Sequence, residues 1–191
     1  MPVTLTRLML LVLALVATPV WATSVLKLDA DTLAGKAERV VRAKVSSSEA
    51  RWDAARTGIW THHTITVSET LKGDAAAATE VVTRGGVVGE IGQHVAGAGS
   101  LEVGSEYVFF LWKDTDSRWQ LLGMAQGALA ITQKDGADWA ENSLAGLTVL
   151  DPNTLQPTAN EADRQPVSLK YADLKAKVAA NVAANLAAGG K

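Results

Sequence analysis

Between residues 59 and 71 the chain alternates at period two. Ile59, Thr61, His63, Ile65 and Val67 fall on one side, and Trp60, His62, Thr64, Thr66 and Ser68 fall on the other. Successive strand side chains point to opposite faces, so this pattern predicts a long strand with one core face and one mostly wet face. Before it, 39–46 (RVVRAKVS) is a β-branched run in which Val41, Ala43 and Val45 share a face. After it, a Lys72-Gly73-Asp74 turn leads to a third strand at 80–84. The polar stretch 46–58, interrupted by Trp52, reads as a loop. Residues 106–112 (EYVFFLW) are apolar almost throughout, which predicts a strand covered on both faces. A further strand at 119–132 is broken at Gly123 and Gly127, a spacing that fits bulges or a barrel bend, and 137–150 adds more strand anchored by Trp139.

Two helices flank this β pattern. Residues 29–37 (DADTLAGKA) predict one or two turns with Asp29 or Asp31 as N-cap, kept short by Gly35. Three of the five prolines, Pro152, Pro157 and Pro166, fall in the polar stretch 151–167, which reads as a linker. Beyond it Ser168 is placed to cap an alanine-rich helix in which Leu174, Val178, Val182 and Leu186 recur every fourth residue, ended by Gly189-Gly190. That stripe can dock on the domain or on a partner. The strand order short, long, short, long loop, then two more predicts a mainly β protein. Its expected fold is a single OB-like Greek-key barrel of five or more antiparallel strands over 23–150, with a short N-terminal helix and a C-terminal α-helix at 168–188. A two-sheet β-sandwich is the alternative.

The first 22 residues change the setting. Arg7 gives a positive start, Leu8 opens an apolar run that ends at Ala17, and Val20-Trp21-Ala22 is a small-residue cleavage pattern, so 1–22 reads as a secretory signal peptide. The run is short for a membrane span of about 20 apolar residues. The mature chain is then expected to begin at Thr23, exported to a bacterial periplasm or medium, without stable membrane insertion. There is no cysteine, hence no lipid attachment after the cut and no disulfide, and stability must come from core burial.

The net charge is −2, and losing Arg7 makes the mature chain more acidic still. Arg39, Arg42 and Lys44 are balanced by Glu38, Glu49 and Asp53, so no basic stripe for nucleic acid forms.

Chemistry-bearing motifs are sparse. The patterns G-x-S-x-G, H-E-x-x-H and the P-loop are absent. His62 and His63, adjacent in a predicted strand, point to opposite faces and read as exposed or edge histidines, and His94 lies in a distant loop; no metal and no cofactor are expected. The glycine-dense segment 85–104 reads as a shaped loop that crosses a barrel end, with Gly86, Gly89, Glu90 and His94 offered to a partner. Of the tryptophans, Trp112 and Trp139 read as core or core edge. Trp60, on the polar face, and Trp52, beside Arg51 in a loop, are the candidates for exposed contact.

The residues Ala37-Glu38-Arg39-Val40-Val41, Arg51-Trp52-Asp53, Leu71-Lys72-Gly73, Gly85-Gly86-Val87-Val88-Gly89, Gly104-Ser105-Glu106-Tyr107 and Gly123-Met124-Ala125-Gln126-Gly127, in that order, resemble a group of uncharacterised exported bacterial proteins. That resemblance covers most of the domain and implies no activity. More distantly, a long strand ending in Lys-Gly and a Gly-x-Glu-Tyr strand look like the netrin and metalloproteinase-inhibitor type of OB domain. Inhibitors of that type use an N-terminal cysteine, and this chain has none, so that mechanism is not carried over.

The expected function is an exported, non-catalytic binding module for another exported protein, contacted through Arg51, Trp52, Trp60, Gly86, Gly89, Glu90 and His94. The alternatives are an exported hydrolase using His94, Glu90 and Ser100 of the glycine-rich loop, or a structural envelope component that associates through its C-terminal helix.

Overall fold

The structure, a computed structural model, describes residues 23–74 and 76–189. The segment read as a signal peptide lies outside them. Elements in chain order are β1 (Thr23–Leu26), α1 (Ala30–Lys36), β2 (Arg39–Trp52), β3 (Ile59–Lys72), β4 (Ala78–Arg84), β5 (Gly86–Val88), β6 (Ile91–Gln93), β7 (Glu106–Lys113) and β8 (Trp119–Leu121). After a 3₁₀ turn at Met124–Gly127 come β9 (Ala128–Lys134), β10 (Ala137–Glu141), β11 (Leu147–Leu150), α2 (Glu161–Arg164), β12 (Ser168–Lys170) and α3 (Tyr171–Ala187).

Five strands close a barrel. β2 pairs antiparallel with β3 and β7, β3 with β4, and β7 with β8; the circle closes where β8 runs parallel to β4, Val81 opposite Trp119 and Val82 opposite Gln120. This closure decides between the barrel and the sandwich. The parallel seam arises because β8 follows β7 by a hairpin, and the long glycine-rich segment between β4 and β7 lets the chain cross the barrel end before turning back. As expected, β8 is interrupted: the 3₁₀ turn between Gly123 and Ala128 bulges out, and β9 resumes on the same side of β7. The bulge is tied down by Gln126, which accepts from Leu28 N–H at 2.8 Å and donates to Leu26 C=O at 3.1 Å.

Alternation divides the apolar residues between two cores. Val41, Ala43, Val45, Ile65, Val81, Tyr107, Phe109, Leu111 and Leu121 fill one end of the barrel interior. Val40, Val108, Phe110 and Leu129 face outward and are covered by Leu33 and Ala34 of α1 and Leu174 and Val178 of α3. β7 is thereby buried on both faces, as its unbroken apolar sequence predicts. The C-terminal helix docks on its own domain through Tyr171, Leu174 and Val178, while Leu186 stays 73 % exposed. Asp29 caps α1, its carboxylate accepting from Thr32 N–H at 2.7 Å.

Four expectations are corrected. Residues 46–52 are not loop; β2 continues through them, paired with β3 up to Trp52 opposite Ile59, because cross-strand bonding outweighs the weak strand preference of SSSEARW. Ser168 does not cap the last helix but lies in β12, where it donates to Glu141. Trp112 is exposed on the outer side of β7. His63 is neither exposed nor at an edge: it is buried at 4 % exposure on the inward face of β3.

Candidate functional site

The inward face of β3 changes character along its length. Ile65 and Val67 belong to the apolar barrel core, whereas His63 and Thr61 point toward the opposite, polar end. There the interior opens into a cleft of about 800 Å³. Ser48, Thr61, His63 and Thr83 from β2, β3 and β4 form one wall; Tyr107, Ala128 and Ala130 from β7 and β9 form another. Gly97, Ala98, Gly99 and Ser100 lie over it as a roof.

The roof is positioned by close packing that only glycine permits. A Cβ on Gly97 would lie 2.0 Å from Leu147 Cδ2. Ala125 N–H donates to Gly97 C=O at 3.0 Å, and the Thr23 hydroxyl donates to Ala96 C=O at 2.7 Å.

His63 is fixed by two hydroxyls. Its Nδ1 lies 2.7 Å from Ser48 Oγ and its Nε2 3.0 Å from Thr83 Oγ1. A neutral imidazole donates at one nitrogen and accepts at the other, and a hydroxyl serves in either role, so both sites are satisfied without charge. Burial, reinforced by neighbouring His62, pushes its pKa down to about 4, and the ring is neutral at physiological pH. Glu141 is the single carboxylate on the lining; hydrogen bonds from Lys134 first and Ser168 next hold it below its ordinary range. Neither lysine nor arginine lines the cleft.

The residues singled out in the sequence separate into three places. His94 and Gly86 border the cleft, together with Ser100. Gly89 and Glu90 form the exposed tip of the β5–β6 hairpin, whose Val87 and Ile91 are 68 % and 54 % exposed. Arg51 and Trp52 lie on the far end of β2, with Arg51 exposed and paired to Glu49 at 2.7 Å. Gly86 joins these regions: its absent side chain lets β5 cross the β2–β3 arm, where a Cβ would stand 2.6 Å from Thr61 Oγ1 and 2.7 Å from Ala50 Cβ.

Trp60 is not an exposed contact. It is 6 % exposed, covered by Arg84 and Arg118, whose guanidinium carbons each lie 4.4 Å from its ring centroid. A residue on the wet face of a strand becomes buried when long cations from neighbouring strands lie across it.

Sequence reasoning missed Ser48, Thr83, Ala128 and Ala130. For Thr83 the signal was its place beside Val81 in period two; for Ser48 there was none, since its segment read as loop. His94 and Ser100 both line the cleft, but Glu90 is at the hairpin tip, so the loop triad of His94, Glu90 and Ser100 does not assemble. Among the described residues no group of three or more His, Cys, Asp or Glu side chains could hold a metal ion.

The fold and site define a class: a cysteine-free OB-like barrel, plugged at one end by its apolar core and open at the other as a cleft under a glycine-rich roof. The chain matches no protein-family model and no curated protein.

Proposed function

We propose that the protein is a non-catalytic binding module, exported to the periplasm or medium, whose partner is another exported protein. The observation that carries this reading is the β5–β6 hairpin. Its Val87 and Ile91 stand in solvent, while its base at Gly86 borders the cleft and packs against Ala50, two residues before Trp52 on β2. Exposed apolar side chains on a short, glycine-built projection offer a partner apolar area to bury. Within the cleft the buried histidine spends both nitrogens on hydroxyls, which supports recognition rather than proton transfer. Gly86, Gly89, Glu90 and His94 lie on or beside this hairpin, and Gly86 sets it against the β2 arm that carries Arg51 and Trp52; Trp60 lies apart from it, under Arg84 and Arg118.

The test is capture from envelope and culture-medium fractions with mature protein beside a Val87→Asp, Ile91→Asp variant, folding of both checked by circular dichroism. A protein retained by the first and lost with the second is the expected result. Capture of nothing by the native chain overturns the reading. The presence of His94 and Ser100 on one cleft lining supports a second reading, an exported hydrolase. Under it His94→Ala abolishes a hydrolytic turnover that the native chain displays; under the first there is no turnover to lose.

A further inference from the structure

The end of β2 beside the cleft is an unused sheet edge. The ladder between β2 and β7 stops at Lys44 opposite Glu106, and Val45 extends it by one step, its N–H donating to Ser105 C=O and its C=O accepting from Gly104 N–H. From there β7 has no further residues, because the chain before Glu106 turns away into the roof loop. β2 nevertheless runs on to Trp52, bonded to β3 alone. Among the described residues no strand pairs with 46–52 on the side away from β3. Seven residues of strand span about 20 Å, and alternate N–H and C=O groups along that length lack a protein partner.

Ser48 belongs both to this edge and to the cleft wall, so the two features are continuous. The chemistry of the cleft narrows what can enter. Its lining holds no lysine or arginine, its one carboxylate is occupied by Lys134 and Ser168, and His63 is neutral. A charged group brought in would lose hydration with no lysine, arginine or free carboxylate to pair with it. No aromatic face is open for stacking a sugar, since Tyr107 is buried and its hydroxyl accepts from Glu102 N–H at 3.1 Å. Ala128 and Ala130, with their short side chains, leave room for main chain and short side chains.

We propose that the cleft takes an extended, uncharged segment of the partner protein, added as a strand to the edge of β2 at residues 46–52, with its inward side chains in the cleft. The proposal rests on the protein-binding reading above and gives it a mode. Main-chain bonds to the edge supply affinity, and alternate small, neutral side chains facing Ser48, His63 and Ala130 supply selectivity. The edge is kept from pairing indiscriminately by the bulge between Val45 and Ser47 and by the charges of Glu49 and Arg51.

The experiment is selection of phage-displayed random heptapeptides on the mature protein, followed by hydrogen exchange with the winning peptide, synthesised, on the native chain and on Ala130→Glu. The expected peptides lack Asp, Glu, Lys and Arg at alternate positions. The bound peptide slows exchange of amides within 46–52 by at least tenfold, and Ala130→Glu weakens binding at least tenfold. Ser48→Ala, a milder change, keeps the test valid should Ala130→Glu fail to fold, and lowers affinity several-fold. Selection of charged or aromatic-rich peptides, protection elsewhere than 46–52, or no enrichment overturns the proposal. If the capture experiment yields a partner that Ala130→Glu and Ser48→Ala both retain in full, the edge mode fails while the binding-module reading stands. If the native chain captures nothing, that reading itself fails.

Discussion

Gly86 and Gly89 sit three residues apart, and adding one carbon to each has different consequences. At Gly86 a Cβ meets Thr61 Oγ1 and Ala50 Cβ inside van der Waals distance, and the φ of +137° is foreign to L-residues. At Gly89, with φ +61°, nothing lies within 4 Å. Gly86→Ala is expected to cost about 2–4 kcal/mol by urea unfolding, and Gly89→Ala about 1 kcal/mol, because the second bears only the left-handed backbone penalty. His63 makes a pH prediction. Unfolded, it binds a proton near its ordinary pKa of 6.5; folded, it resists until about 4. The unfolded state therefore holds more protons across that window, and stability falls as pH drops from 6.5 to 4, by on the order of 3 kcal/mol in all. The carboxylates of Glu69 and Glu106, held below their ordinary 4.5 by hydrogen bonds from Lys175 and Arg42, add their own loss at lower pH. Unfolding free energy measured against pH should show the upper part of this decline in the native chain and lose it in His63→Asn.

Among the elements, α3 shows how geometry limits a sequence repeat. Steps of four residues overshoot a helical turn by about 40°, so the stripe of Leu174, Val178, Val182 and Leu186 winds off the sheet as the helix proceeds. The first two are fully buried, Val182 is half-buried, and Leu186 is in solvent. The N-terminal turn is fixed further by the Tyr171 hydroxyl, which donates to Glu69 at 2.5 Å, and by Arg42 4.6 Å from the Tyr171 ring. Leu174→Ala is expected to destabilise by about 2–5 kcal/mol and Leu186→Ala by less than about 0.5 kcal/mol, both measurable as shifts of the denaturation midpoint. The residues that 151–167 contributes are also held: Asn142 and Val167 exchange two hydrogen bonds at 3.0 and 2.8 Å.

For the whole molecule the parallel seam between β4 and β8 is the place where the barrel is least secured, with two residue pairs against six between β2 and β7. Trp60 on β3, Arg84 on β4 and Arg118 just before β8 lie across that seam and help hold it shut. Local opening follows local contact density. Native-state hydrogen exchange should therefore find the slowest amides in the centres of β2, β3 and β7 and faster ones at Val81, Val82 and the roof loop. Trp60→Ala should accelerate the seam amides more than those of β7.

Much of the barrel was written in local pattern. Period two in β3, the unbroken apolar run of β7, the Lys72-Gly73-Asp74 turn, the break at Gly123 and Gly127, and the Asp29 cap are each decided within a few residues, by pleat, by burial on both faces or by backbone freedom, and they can be read without knowing the neighbours. The seam between β4 and β8, the burial of Trp60 under Arg84 and Arg118, and the extension of β2 through 46–52 depend on residues brought together from distant positions. So does the cleft. Ser48, His63, Thr83, Ala130 and Gly99 share it only because the barrel is closed at one end by its own core and left open at the other, and that arrangement belongs to strand order rather than to any one segment.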